Sequence, residues 1–175
     1  MVILIVGHSR ASKGAYNKDR KIWEYDLNEY EANKVFEILT NKNIPCGIVH
    51  RETYSGLPKK VNAYNPKFIV SFHHNSFDEN STGTETLYYH TSKNGKELAK
   101  IMQRKTVEAL GYKDRGIKAK DSEDRGGYLL KYTNAPCVIL EPCFISNNTE
   151  LDNFIENQDK YCNAVAEGII EFINM

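Results

Sequence analysis

Residues 2 to 6, Val-Ile-Leu-Ile-Val, form an unbroken apolar run closed by Gly7, the pattern of a strand covered on both faces. From about residue 24 to 41 the spacing lengthens. Leu27, Tyr30, Val35, Ile38 and Leu39 return every three or four positions, which predicts a helix with one buried face. A short apolar run follows at Cys46 to Val49. Lys67 to His73 reads as a further strand, entered after Pro66, which ends a short preceding helix. Thr84 to His90 alternates in the manner of a strand. A helix is predicted from about 93 to 110, with Leu98, Ile101, Met102 and Leu110 inward, Ser92 as N-cap and Gly111 as the stop. Pro136 to Glu141 is the most apolar strand, and a last helix, about 158 to 173, carries Tyr161, Val165, Ile169 and Phe172 on one stripe. Short apolar strands separated by helices predict an α/β fold: an open, twisted, mostly parallel sheet with helices on both faces. Right-handed crossovers then gather the C-terminal ends of the parallel strands along one edge, where such folds bind ligands.

No low-complexity tract, linker or fixed-period repeat breaks this pattern, so the expected organisation is one domain over residues 1–175 with no separate second module. Lysine plus arginine equals aspartate plus glutamate at 23 each, which leaves no bulk cationic field for nucleic acid or an anionic membrane surface. The apolar start is too short for a signal h-region and has no basic residues before it, and no stretch approaches the ~20 apolar residues of a membrane span. The expectation is synthesis in a cytoplasm without membrane insertion. Cys46, Cys137, Cys143 and Cys162 form no CxxC pair, and three sit among apolar residues as small hydrophobes.

The chemistry lies where the buried strands end. The first exits into Gly7-His8-Ser9, the strand at 67–73 into His73-His74-Asn75, and the most apolar strand into Glu141 before Pro142. A single histidine at a strand end is more commonly hydrogen-bonded to a loop, and spacing alone does not choose between His73 and His74. Glu141 is harder to treat as structural. Flanked by Pro136-Cys-Val-Ile-Leu and Cys143-Phe-Ile, its carboxylate costs several kcal/mol to bury unless it is paired, protonated or beside a metal (about that order). Glu24 opens the first helix, where a carboxylate also complements the helix dipole, and the loop from the first strand brings it towards the same edge. Two imidazoles and a carboxylate are the ligands of an open catalytic zinc site, and the absence of HExxH excludes the common metalloprotease arrangement. With a second, non-ligating carboxylate to move protons, such a set performs metal-assisted amide hydrolysis.

Six blocks in order carry a resemblance: Gly7-His8; Glu24-Tyr-Asp-Leu-Asn28; Ser71-Phe-His73-His-Asn75; Gly83 to Tyr89; Arg115-Gly-Ile-Lys118; and Pro136 to Asn147. Together they resemble the zinc-dependent N-acetylmuramoyl-L-alanine amidases of the type 3 family, in particular phage endolysin catalytic domains. The resemblance implies cleavage of peptidoglycan between N-acetylmuramic acid and L-alanine. It implies Zn2+ held by His8, Glu24 and His73, Glu141 as the catalytic acid–base, and substrate contacts from Asn75 and Arg115. His73 rather than His74 occupies the matching position. The resemblance also implies action on the cell wall after release from the cytoplasm. Only Ser76 to Thr82 separates the histidine block from Gly83, too few residues for the masking helix of inactive relatives, so an open site is expected. Lys120 to Tyr128 is charged and long; it reads as a solvated loop, with a substrate-lining loop as the alternative. Other functional readings are a zinc carboxypeptidase or deacetylase acting on another amide, and an inactive wall-binding module.

Overall fold

Strand β1 (Val2–Val6) is buried at all five residues in the computed structural model, which describes residues 1–175. A short antiparallel hairpin, β2 (Tyr16–Asn17) and β3 (Ile22–Trp23), follows and delivers the chain to helix α1 (Glu24–Asn41). Then come β4 (Cys46–His50), α2 (Leu57–Asn62), β5 (Phe68–Phe72), β6 (Thr84–Tyr89) and α3 (Lys93–Leu110). The chain closes with β7 (Asp114–Lys120), α4 (Gly127–Tyr132), β8 (Cys137–Glu141), α5 (Asn148–Glu156) and α6 (Gln158–Ile173). The predicted bounds of α1, α3 and α6 match, and Ser92 caps α3 by accepting from the Gly95 amide while Gly111 ends it in the left-handed region.

Six strands form one sheet in the order β4-β1-β5-β8-β6-β7. The first four are mutually parallel, but β6 pairs antiparallel with β8, and β7 follows β6 in parallel. The sheet is thus mostly parallel, with β6 and β7 reversed. Their starts, not their ends, lie at the edge where β1, β5 and β8 finish, which places Glu85 directly opposite Glu141.

The two-residue period of the strands sorts their side chains into two layers. Val2, Leu4, Val6, Phe68, Val70, Phe72, Val138 and Leu140 point into the larger core with α1, α3 and α6. Ile3, Ile5, Ile69, Cys137 and Ile139 face the other way, towards the short helices α2 and α4. Because α2 and α4 have only six residues each, they cover that face incompletely and leave space at the edge where β1, β5 and β8 finish. Tyr30, expected on the buried stripe of α1, is 44% exposed and instead donates its hydroxyl to Asp159. No helix is long and apolar enough to cross a membrane. All four cysteines are free thiols.

Candidate metal centre

Continuing the strand alternation past Phe72 puts His73 on the α2/α4 side and His74 in the larger core, and the two rings have separate surroundings. His8 follows Gly7 at the exit of β1 with a left-handed backbone, φ 64°. Its Nε2 lies 3.0 Å from Glu24 Oε2, and His73 Nδ1 lies 3.0 Å from Glu24 Oε1. One ligand atom from each of the three residues falls within 4.8 Å of the others. Glu24 is the first residue of α1 and is 1% exposed, held there because the connection from β1 to β2 folds back on it: Ala15 N–H donates to Oε2 at 3.1 Å. His74 N–H donates to Oε1 at 3.1 Å. Burial favours the protonated form of Glu24, but hydrogen bonds with His73 and His8 outweigh it and hold the carboxyl well below the usual range. Burial also lowers the proton affinity of His73, against the pull of the Glu24 carboxylate.

These donors fit a divalent cation. Nitrogen and carboxylate oxygen ligands at ~2.0–2.2 Å from zinc stand roughly 3–3.5 Å apart, close to the 3.0 Å that separates Glu24 from each imidazole. His8 Nε2 is buried without a well-formed hydrogen bond, an orphaned donor aimed at the cluster. Two glycines keep the surroundings clear of side chains. A Cβ on Gly7 would stand 2.6 Å from His73 Nε2, and one on Gly14, whose φ is +79°, would stand 2.5 Å from Glu24 Oε2.

His74 belongs to a separate buried array. Asn28 donates from Nδ2 to Gly7 O at 3.2 Å, which turns its Oδ1 towards His74 Nδ1 at 3.1 Å. His74 Nε2 then faces Glu31 Oε1 at 3.3 Å, and Gln158 donates to the same oxygen. Burial pushes His74 down to about 4 and Glu31 well above the usual carboxyl range, so both are driven towards their uncharged forms. The array ties β5 to α1 beneath the metal centre. His74→Ala keeps the backbone donor to Glu24 but opens a hole and strands Asn28 and Glu31. The expected cost is about 3 kcal/mol, a fall of roughly 10 °C in Tm, with metal content unchanged. Thermal melts with elemental analysis check it; an unaltered Tm would count against the array.

Glu141 ends β8 on the same face as His73 and is 4% exposed, with no protein group hydrogen-bonded to its carboxyl. Burial pushes it up to about 7; Arg125 pulls the other way, and Glu85 and Glu24 add to the rise. It lines a cavity of about 400 Å³ together with His8 and His73, floored by Ile5, Leu87 and Ile139. The far wall is Ser122 to Gly126 and Tyr128. The segment from Lys120 to Tyr128 thus meets both readings: Asp121, Glu123, Asp124 and Arg125 are exposed, and Ser122 to Gly126 and Tyr128 also line the cavity. Arg51, Tyr54 and Arg125 also line the cavity, and no sequence signal singled them out.

Asn75 and Arg115 do not line the cavity. Asn75 Nδ2 donates to Glu85 Oε1 at 3.1 Å, and Arg115 Nε donates to Glu85 Oε2 at 2.8 Å with its guanidinium over the Phe144 ring. Both brace Glu85 beside Glu141 instead of facing the open space where substrate contacts were expected. Residues 76–83 form an irregular loop with no helix over the centre.

An α/β sheet layered by helices on both faces, with a His/Glu/His cluster able to hold a metal and an unpaired buried carboxyl at one strand edge, is the arrangement of an amide hydrolase. The family model for N-acetylmuramoyl-L-alanine amidase matches residues 2–174, and the chain belongs to that family of cell-wall peptidoglycan amidases. It is similar to the uncharacterised protein YqiI of Bacillus subtilis, 29% identical over 96% of this chain and 82% of that one. It is equally similar to the N-acetylmuramoyl-L-alanine amidase LytC of the same organism, 29% identical over 95% of this chain but 34% of LytC. Among solved structures, the catalytic domain of the amidase CwlV from Bacillus (Paenibacillus) polymyxa var. colistinus superimposes with a TM-score of 0.85 at 28% identity, over 99% of this chain and 97% of that one.

Proposed function

We propose that this chain hydrolyses the amide between N-acetylmuramic acid and L-alanine in peptidoglycan, as a single catalytic domain over residues 1–175, with His8, Glu24 and His73 holding a zinc ion and Glu141 moving the proton. What carries the reading is the convergence of three ligand atoms, from His8, Glu24 and His73, within 4.8 Å of one another, with both histidines lining the same cavity as Glu141. When bound, zinc supplies Lewis acidity towards a carbonyl oxygen and brings the pKa of bound water to about 7.

The chain's own residues supply the rest. Glu24 is held in place by the backbone amides of Ala15, in the connection from β1 to β2, and of His74, just past the end of β5. Glu141 needs two protonation states in one cycle. As a carboxylate it accepts a proton from the attacking water; as a carboxylic acid it passes that proton to the departing alanine nitrogen. A carboxyl held near neutrality by burial is suited to both, because neither form is prohibitively costly at the working pH. The apolar floor of Ile5, Leu87 and Ile139 keeps bulk water from competing for the proton.

Purified cell walls incubated with the enzyme are expected to release new alanine N-termini and no new reducing ends. Chelation abolishes the release and added zinc restores it, since a three-ligand centre open to a cavity exchanges its metal with solvent. Release that survives exhaustive chelation would overturn the metal assignment, and cleavage without alanine N-termini would overturn the reaction.

A further inference from the structure

Six arginines occur in the chain. Arg10 pairs with Glu29, Arg20 with Asp152, Arg104 with Glu108 and Glu171, and Arg115 with Glu85. The other two, Arg51 and Arg125, have no carboxylate partner, and both line the cavity beside Glu141. We infer that Arg51 and Arg125 form a receptor for a carboxylate on the peptide side of the scissile amide, making the enzyme selective for stem peptides with a free carboxylate over those in which it is a carboxamide.

This deepens the amidase reading and rests on it. The chemistry of the substrate chooses the side. The glycan is neutral, and the lactyl carboxyl is consumed in the amide that is cut, so every carboxylate of a muramoyl peptide lies beyond the alanine nitrogen. The two arginines come from different loops. Arg51 follows β4 with its guanidinium over the Tyr54 ring, 5.9 Å from the centroid. Arg125 stands in the segment before α4. Tyr54 and Tyr128 link the two loops, with ring centroids 5.4 Å apart and Tyr128 Oη donating to Ser55 O. The guanidiniums are thus presented on braced supports, which limits the ordering cost of gripping a ligand. Arginine's planar fork matches a carboxylate and has no comparable partner in a neutral carboxamide. The position beside Glu141 gives a second reason for cations here: Arg125 counteracts the burial that raises Glu141.

Two synthetic muramoyl-L-alanyl peptides, alike except for a free carboxylate or a carboxamide on the residue after alanine, test the inference. The wild-type enzyme is expected to prefer the carboxylate by about ten- to a hundredfold in kcat/KM, chiefly through KM. Arg125→Ala collapses that ratio towards one, Arg125→Lys keeps part of it, and Arg104→Ala, on the opposite face of the sheet, leaves it intact. Titration of the metal-free chain with the alanyl product peptides reads the same preference without turnover. Equal binding of both peptides to the metal-free chain, or a ratio unchanged in Arg125→Ala, overturns the receptor while leaving the amidase reading in place. If neither substrate yields alanine N-termini from the zinc-loaded enzyme, the amidase reading itself fails.

Discussion

Glu141→Gln is expected to lower turnover by about 10²–10⁴-fold while keeping the bound metal, and to make the metal-free fold more stable in alkaline buffer. The first half follows from position: Glu141 is the unpaired carboxyl on the cavity wall shared with His8 and His73, and glutamine cannot carry a proton between water and amine. The second half follows from burial, which raises Glu141 from 4.5 to about 7. Between those values the folded chain keeps a proton that the unfolded chain has released, so stability falls as pH rises through this window and levels off above it. A rise of that size corresponds to about 3 kcal/mol. Glutamine has no proton to lose and escapes the penalty. Denaturant midpoints in chelator should coincide for the two proteins near pH 4 and favour Glu141→Gln at pH 8. Equal midpoints at pH 8 would show that the carboxyl is not desolvated as described.

Glu24→Ala should abolish both metal retention and activity and should also weaken the fold. The carboxylate takes hydrogen bonds from the backbone amides of Ala15 and His74 and lies 3.0 Å from each imidazole. Its removal leaves two buried amides without acceptors, each costing about 1–3 kcal/mol, and reduces the ligand set to two neutral rings. Elemental analysis after dialysis should find essentially no zinc, and Tm should fall by roughly 5–15 °C. Glu24→Gln keeps an acceptor oxygen but loses the charge, so it should recover much of the stability and little of the metal. A Glu24→Ala protein with full zinc content would remove this residue from the centre.

Much of this was legible in the chain because burial and period act locally. The apolar runs at Val2–Val6 and Cys137–Glu141, and the helices that start at Glu24 and Lys93, are written in side chains that must leave water. Strand parity also separates His73 from His74 once the strand is placed. The reversed direction of β6 was not legible, because direction is set by how the connection crosses β8 and by nothing in the Thr84–Tyr89 alternation. Strand β7, Asp-Arg-Gly-Ile-Lys-Ala-Lys, is a polar edge strand whose charges suit an exposed border and hide its period. Helices α2 and α4 are too short to show a helical repeat. The places of Arg51 and Arg125 on the cavity wall depend on those short helices, so the substrate-facing wall stayed out of reach while the metal ligands did not.

The joint between β5 and β6 passes over the end of β8 before the chain turns back into the sheet, and it is pinned there by Ser146, Asn147 and Glu150. Phe77, 80% exposed, marks its outermost point. A foreign segment spliced at this spot would lengthen a turn without shifting any strand register. The turn thus offers a ready socket for a grafted tag or reporter that leaves the six-stranded sheet and both of its cores untouched.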